Sequence, residues 1–183
     1  MRVRRLLFVG RLMPQKGIDL LLEALALLPV DVGLDVVGAG PDRPSLEARA
    51  LTLGVGARVR FHGAVKQFAL TAFYQRAFAL IVPSAEEGLG LVAVEAQLCE
   101  TPVVAFDSGG LPDVVQHERT GILVKERTAN ALAAAVRSLL ERDDRGATLG
   151  AAGRLHALAT FAPESVARRY ADIYRSAVGR SDT

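Results

Sequence analysis

Short apolar runs recur along this chain, and each is followed by a stretch of helical composition. RLLFV (5–9) is the plainest of them. A strand with one wet face alternates polar and apolar residues, whereas a strand buried on both faces reads as a continuous apolar run. The later runs are LDVVG (34–38), RVRFHG (58–63), FALIVP (78–83), PVVAF (102–106) and GILV (121–124). Between them GIDLLLEALALL (17–28), residues 44–53, FALTAFYQRA (68–77) and residues 90–99 read as helices. Further helices are expected over most of 129–142 and 145–158, and an amphipathic one over 164–178. Strand, helix, strand, repeated, requires parallel pairing through right-handed crossovers. The expected fold is α/β: a doubly wound, Rossmann-like parallel sheet of about six strands in a single domain. The 183 residues are half apolar, with a mean hydropathy of +0.25, enough for a real core.

Composition removes several function classes. The net charge is +2, basic residues are scattered, and there are 7 Phe, 3 Tyr and no Trp. A nucleic-acid surface needs a basic patch with stacking residues, so no nucleic-acid partner is expected. The single Cys99 excludes an internal disulfide and a cysteine-based metal cluster. The three His residues share no ligand spacing, so no zinc site is expected. No apolar run approaches the roughly 20 residues that span a bilayer. The basic start MRVRRLLFVG has too short an apolar core for a signal peptide and no small-residue cleavage site. The chain is therefore expected in the cytoplasm. Arg2, Arg4 and Arg5 are too few to argue for a lipid surface.

Ligands of doubly wound sheets gather at the carboxyl ends of the strands, which directs attention to loops 10–17, 38–42, 62–66, 83–90 and 107–113. In GRLMPQKG (10–17), Arg11 leaves strand one and Lys16 stands at the start of the next helix. A helix N-terminus is already partly positive and has unpaired N–H groups. A diphosphate there would satisfy both cations and the amides. The other reading is that both side chains point into solvent, and the loop alone does not choose. GAGPDR (38–43) begins like a dinucleotide fingerprint but has Arg43 in place of the third glycine, and no acid stands about 20 residues on. It reads as a tight turn that lets backbone approach a ligand.

PSAEEGLGLVAVE carries two acids, Glu87 and Glu95, eight positions apart. Gly88 and Gly90 permit unusual backbone angles and close approach to a ligand. Leu89, Gly90 and Leu91 open a helix, so their amides face the crevice, and Glu95 falls in its second turn. Carboxylates accept hydrogen bonds well from sugar and ribose hydroxyls. Alternatively, Glu87 merely favours a helix N-terminus and Glu95 lies on a solvated face. Leu91, Val92, Ala93, Val94, Ala96 and Leu98 weaken that alternative. They make the helix largely apolar, and an unpaired buried carboxylate is costly. DSGGLPDVV (107–115) reads as structure, with Pro112 at a first helical position. Bland readings serve elsewhere: Cys99 in the core, His62 at a strand terminus, His117 in a turn, His156 exposed on a helix, and Asp143, Asp144 and Arg145 in a loop.

Taken together, GRLMPQKGIDLLLEA, VVGAGP, VRFHGAV, VPSAEEGLGLVAVEAQLCETPVVA, DSGGLPDVV and TGILV resemble the retaining glycosyltransferases of family four, the glycogen-synthase-like group with the GT-B fold. The resemblance runs from about residue 4 to 178, and the order and spacing of the pieces make it specific. Glu87 and Glu95 match the family's paired acids; Glu86 has the wrong spacing. The resemblance implies one half of a GT-B enzyme, the donor-binding one. Its catalytic residues would be Arg11, Lys16 and Glu87. Its donor-binding residues would be Gly10, Arg11, Lys16, Glu87, Gly88, Leu89, Gly90, Leu91 and Glu95. Arg11 and Lys16 would meet the donor diphosphate, Glu87 the transferred sugar, and Glu95 the ribose. The base would lie near Val59 to Gly63.

The resemblance implies a nucleoside-diphosphate sugar as substrate, no cofactor and no obligatory metal. It also implies a partner: an N-terminal acceptor-binding domain, in cis or as a separate chain, toward which helix 164–178 would cross. Some members work at membranes, which adds the inner membrane face to the expected cytoplasmic location. Without its other half the domain is expected to transfer little or nothing. The rival functions are a non-catalytic sugar-nucleotide module and a dinucleotide-dependent oxidoreductase. Three positions depart from the family's usual residues: Leu89 for Phe, Gln97 for Met or Ala, and Glu100 for Gly. Local adjustment, not loss of the site, is the expectation.

Overall fold

The computed structural model describes residues 4–144 and 146–178; the expectations for Arg2 and Arg145 fall outside them. Six strands form one parallel sheet: β1 (Arg5–Val9), β2 (Gly33–Val37), β3 (Val59–Gly63), β4 (Ala79–Val82), β5 (Val103–Phe106) and β6 (Gly121–Val124). Their spatial order is β3-β2-β1-β4-β5-β6. The chain winds outward from β1 to β3, then returns to the other side of β1. The reversal falls between β1 and β4, which pair Leu6 with Ala79 and Leu7 with Leu80. At such a point the loops leave in opposite directions and a crevice opens beyond the strand ends.

Helices cover both faces. They are α1 (Ile18–Ala26), α2 (Arg43–Thr52), α3 (Gln67–Arg76), α4 (Leu91–Leu98), α5 (Leu111–Val114), α6 (Ala129–Glu141), α7 (Ala147–Phe161) and α8 (Pro163–Val178). Side chains alternate across β1 because successive Cβ atoms point to opposite faces. Leu6 and Phe8 join Leu21, Leu25, Leu46 and Val136 on one face, while Leu7 joins Tyr74, Ala93 and Val94 on the other. Burial on both faces is why β1 reads apolar without alternation; each buried leucine contributes about 2 kcal/mol. Two single turns of tighter helix, Pro14–Lys16 and Gly56–Arg58, and the short α5 complete the elements.

Several particulars differ from the sequence reading. His156 is half-buried, not exposed; Gln116 Nε2 lies 3.4 Å from its Nδ1. Glu100 takes the left-handed backbone with φ of 56°, the conformation that a glycine would adopt without strain. Arg4 and Arg5 are engaged within the protein, on Asp31 and Asp35. His62 does not stand alone at the strand terminus: its Nε2 donates to Asp35 Oδ1 at 2.7 Å. Helix α8 follows α7 and has no buried side chain among those described; Tyr170, Ile173 and Tyr174 are exposed. No helix among the described residues is long and apolar enough to cross a membrane.

Candidate functional site

The loop after β1 is pinned from two sides. Leu12 N donates to the Ala39 carbonyl at 3.0 Å, and Leu12 is fully buried, which leaves Arg11 on the outside. The glycines of GAGP therefore approach this first loop: a Cβ on Gly38 would stand 1.8 Å from the Gly10 carbonyl oxygen. The backbone contact expected with a ligand is made with the chain itself. Further on, the turn Pro14–Lys16 closes on Gly17, which has φ of 66° and caps α1. Only glycine fits at this point. Its φ is left-handed, and an added Cβ would stand 2.1 Å from the Pro83 carbonyl oxygen. Ala85 N also donates to the Gln15 carbonyl at 2.8 Å. The loops that follow β1 and β4 thus touch backbone to backbone.

This contact brings a cation to an acid. Lys16 Nζ lies 2.7 Å from Glu87 Oε2, and Ser84 Oγ donates to the same oxygen at 3.0 Å. The loop that carries Glu87 is held from behind by the turn before α5. Gly110 N donates to the carbonyls of Glu87 and Gly88 at 3.0 and 2.9 Å. The reading of DSGGLPDVV as structure is thereby given a purpose: it supports the acid's loop.

A cavity of about 280 Å³ opens here, at the switch point between β1 and β4. Gly10, Arg11, Lys16, Glu87, Leu89, Gly90 and Leu91 line it together. Gly90 has φ of 76° and caps α4, so the first amides of that helix open toward the cavity. Arg11 makes no ion pair among the described residues; its guanidinium lies 3.9 Å from Met13 Sδ. Of the two expected cations, one is therefore uncompensated and one is already matched.

Two expected residues stand apart. Gly88 does not line the cavity and is not among the residues with positive φ, so the unusual angle expected of it belongs to Gly90 alone. Glu95 also lies outside the lining, one helical turn beyond Leu91 on the same face of α4. Its carboxylate accepts from Tyr74 Oη and from Gln67 Nε2, both at 2.7 Å. The sequence reading missed both partners. Their signal was the seven-residue spacing that puts Gln67 and Tyr74 on one face of α3.

A larger groove, of about 340 Å³, lies along the sheet beside β3, lined by Arg5, Asp35, Arg60, His62 and Arg76. It lies along the strands, not beyond their ends. Burial raises the Asp35 carboxyl, but hydrogen bonds and charge from Arg5 and His62 outweigh it and hold the group below the usual carboxylate range. Within that groove Arg5 and His62 both engage the Asp35 carboxylate.

Comparison with known proteins gives the family. The family model described as "Glycosyl transferases group 1" matches residues 2–156. The chain belongs to this glycosyltransferase family. It is 41% identical over 179 residues to a D-inositol 3-phosphate glycosyltransferase of Xylanimonas cellulosilytica, covering 96% of this chain and 43% of that one. It is similar in structure to sucrose-phosphate synthase of Thermosynechococcus elongatus, with a TM-score of 0.86 and 37% identity over 97% of this chain and 46% of the other. HepE of Anabaena, solved in complex with UDP and glucose, gives a TM-score of 0.85 at 28% identity, over 94% and 48% of the two chains. The glycosyltransferase chain spans less than half the length of these relatives. Its fold is that of the C-terminal, Rossmann-like half of a GT-B glycosyltransferase.

Proposed function

We propose that this chain is the donor-binding half of a retaining glycosyltransferase that uses a nucleoside-diphosphate sugar. One observation carries the reading: an uncompensated Arg11, an exchangeable Lys16 and the Glu87 carboxylate share one cavity at the switch point of the sheet. The guanidinium fork of Arg11 suits a diphosphate, which it can hold through two N–H groups. Lys16 is a point charge on a flexible stem and can turn from Glu87 to phosphate. That exchange frees Glu87 to accept hydrogen bonds from the sugar hydroxyls. The amides at the start of α4 add donors for phosphate or sugar.

When the bond between the anomeric carbon and the phosphate oxygen breaks, its electron pair leaves with the diphosphate. Arg11 and Lys16 meet that growing charge, which is the step where a fixed cation lowers the barrier most. Two protein cations perform the neutralisation, so the proposal includes no obligatory metal. Glu95 holds the ribose. The acceptor binds an N-terminal domain, supplied in cis or by a separate chain, which docks along the exposed Tyr170, Ile173 and Tyr174 of α8. The isolated domain binds donor and transfers little or nothing. The likeness to HepE, whose structure contains UDP and glucose, supports the substrate class.

Calorimetric titration of the chain with UDP, GDP, ADP and NAD, with and without EDTA, tests this. One nucleoside diphosphate is expected to bind without metal. Losing both cations in the Arg11→Ala, Lys16→Ala double variant should weaken that binding by about 100-fold, the scale of two charge-assisted contacts. Unchanged affinity in the double variant, or binding of NAD alone, would overturn the reading.

A further inference from the structure

Glu95 is held in an uncommon way for an acid in this molecule. None of the ion pairs among the described residues involves it. Its two oxygens each accept one neutral donor instead, Oε1 from Gln67 and Oε2 from Tyr74. Tyr74 is only 2% exposed. Burial, and then the hydrogen bond and charge of Glu95, push its phenol well above the ordinary range, so the hydroxyl donates to the carboxylate and keeps its proton. The tyrosine is itself fixed: the buried Thr101 hydroxyl donates to its backbone carbonyl at 2.7 Å.

We infer that Tyr74 and Gln67 are positioning residues that aim Glu95 at the ribose of the donor. The inference rests on the donor-binding reading above. A carboxylate offers about four acceptor sites, two on each oxygen. Tyr74 and Gln67 occupy two of them and leave one on each oxygen, which matches the two neighbouring hydroxyls of a ribose. A cation in place of these donors would neutralise the carboxylate and weaken it as an acceptor. Neutral donors fix its orientation and leave its charge for the ligand. The arrangement also explains why Glu95 stands one turn outside the cavity that holds Lys16 and Glu87. The ribose lies beyond the diphosphate in a sugar nucleotide, farther from the reacting carbon.

The competing account is that Glu95 exists only to satisfy the buried hydroxyl of Tyr74. Affinities for each of UDP, GDP and ADP, for their 2′,3′-dideoxy counterparts and for inorganic pyrophosphate separate the two. Tyr74→Phe keeps the ring, and Gln67→Ala changes an exposed residue, so at least one variant should fold as the parent does; thermal melts check this. Each variant is expected to bind the preferred nucleoside diphosphate about fivefold more weakly, the scale of one hydrogen bond. Affinity for the dideoxy form and for pyrophosphate should stay at the parent value. A preference for ribose over dideoxyribose that survives in both variants overturns the inference and leaves the diphosphate reading intact. A parent chain that binds a nucleotide but ignores the ribose hydroxyls overturns it too. A parent chain that binds none of the three nucleotides ends the donor reading and this inference together.

Discussion

Asp35 is buried and Glu87 half-buried, and each has a cation at hydrogen-bond distance, yet the two pairs are built differently. Arg5 grips Asp35 with two nitrogens, Nε to Oδ2 at 2.8 Å and the terminal NH2 to Oδ1 at 3.0 Å, and the same terminal nitrogen donates to the Leu34 carbonyl at 2.7 Å. His62 adds a further contact. Glu87 has a lysine on one oxygen, joined there by the Ser84 hydroxyl. The first pair is a fork locked on a carboxylate across two strands. The second is one movable charge on one oxygen, beside a cavity. Similar distances therefore belong to different arrangements: the first pair ties two strands together, and the second sits at the edge of a cavity.

Three substitutions separate the two pairs. The largest effect is expected from Asp35→Ala, which leaves the Arg5 fork without its carboxylate. Losing one partner of a part-buried pair should cost about 3 kcal/mol, read as a fall in Tm of roughly 6–12 °C. Nucleoside-diphosphate affinity should not move; if it does, the groove beside β3 belongs to the site. A smaller effect of opposite character is expected from Glu87→Gln. Removing the carboxylate frees Lys16 and takes a negative charge away from the diphosphate. Affinity for the free nucleoside diphosphate should rise about fivefold, roughly 1 kcal/mol, while stability changes by less than that. Transfer by the completed enzyme should fall, because the sugar loses its acceptor. A drop in diphosphate affinity would show that Glu87 holds the nucleotide, not the sugar.

The smallest effect is on pH. The folded-state pKa of Asp35 is depressed, so the folded protein keeps the carboxylate ionised at a pH where the unfolded chain has taken up its proton. Its stabilising contribution is present above about pH 4 and is lost as pH falls through the folded value, below 3.8. Urea unfolding of the parent chain and Asp35→Asn should differ at neutral pH and converge in acid. A difference that stays constant with pH would mean that shape, not charge, accounts for this residue.

Much of this was legible before the structure. RLLFV and GILV match β1 and β6 to the residue, because strands buried on both faces leave an apolar signature with sharp ends. The four residues of α5 and the three of Pro14–Lys16 are too short for any helical period to show. Arg11, Lys16 and Glu87 were readable as candidates because each stands just beyond a strand. Their arrangement was not: Lys16 and Glu87 are 71 positions apart, and only a fold that places β1 beside β4 makes them a pair. The same is true of Glu95, whose partners lie on another helix. Exposure of His156 was misjudged because its helix, α7, packs against α4 along a face set by small residues such as Gly150 and Gly153.

The contact between Gly17 and the Pro83 carbonyl sets a limit on how this pocket can vary. The two loops already meet where one methyl group would not fit. The separation of the two loops that carry Lys16 and Glu87 is thus fixed by the course of the main chain, not by the choice of side chains. The pocket cannot be widened by sliding these loops, since any slide breaks the seam that aligns them. The freedom lies on the opposite rim, where Leu89 and Leu91 are exposed and can be exchanged without disturbing that seam. One wall of the cavity is fixed by backbone contact, and the other is open to exchange.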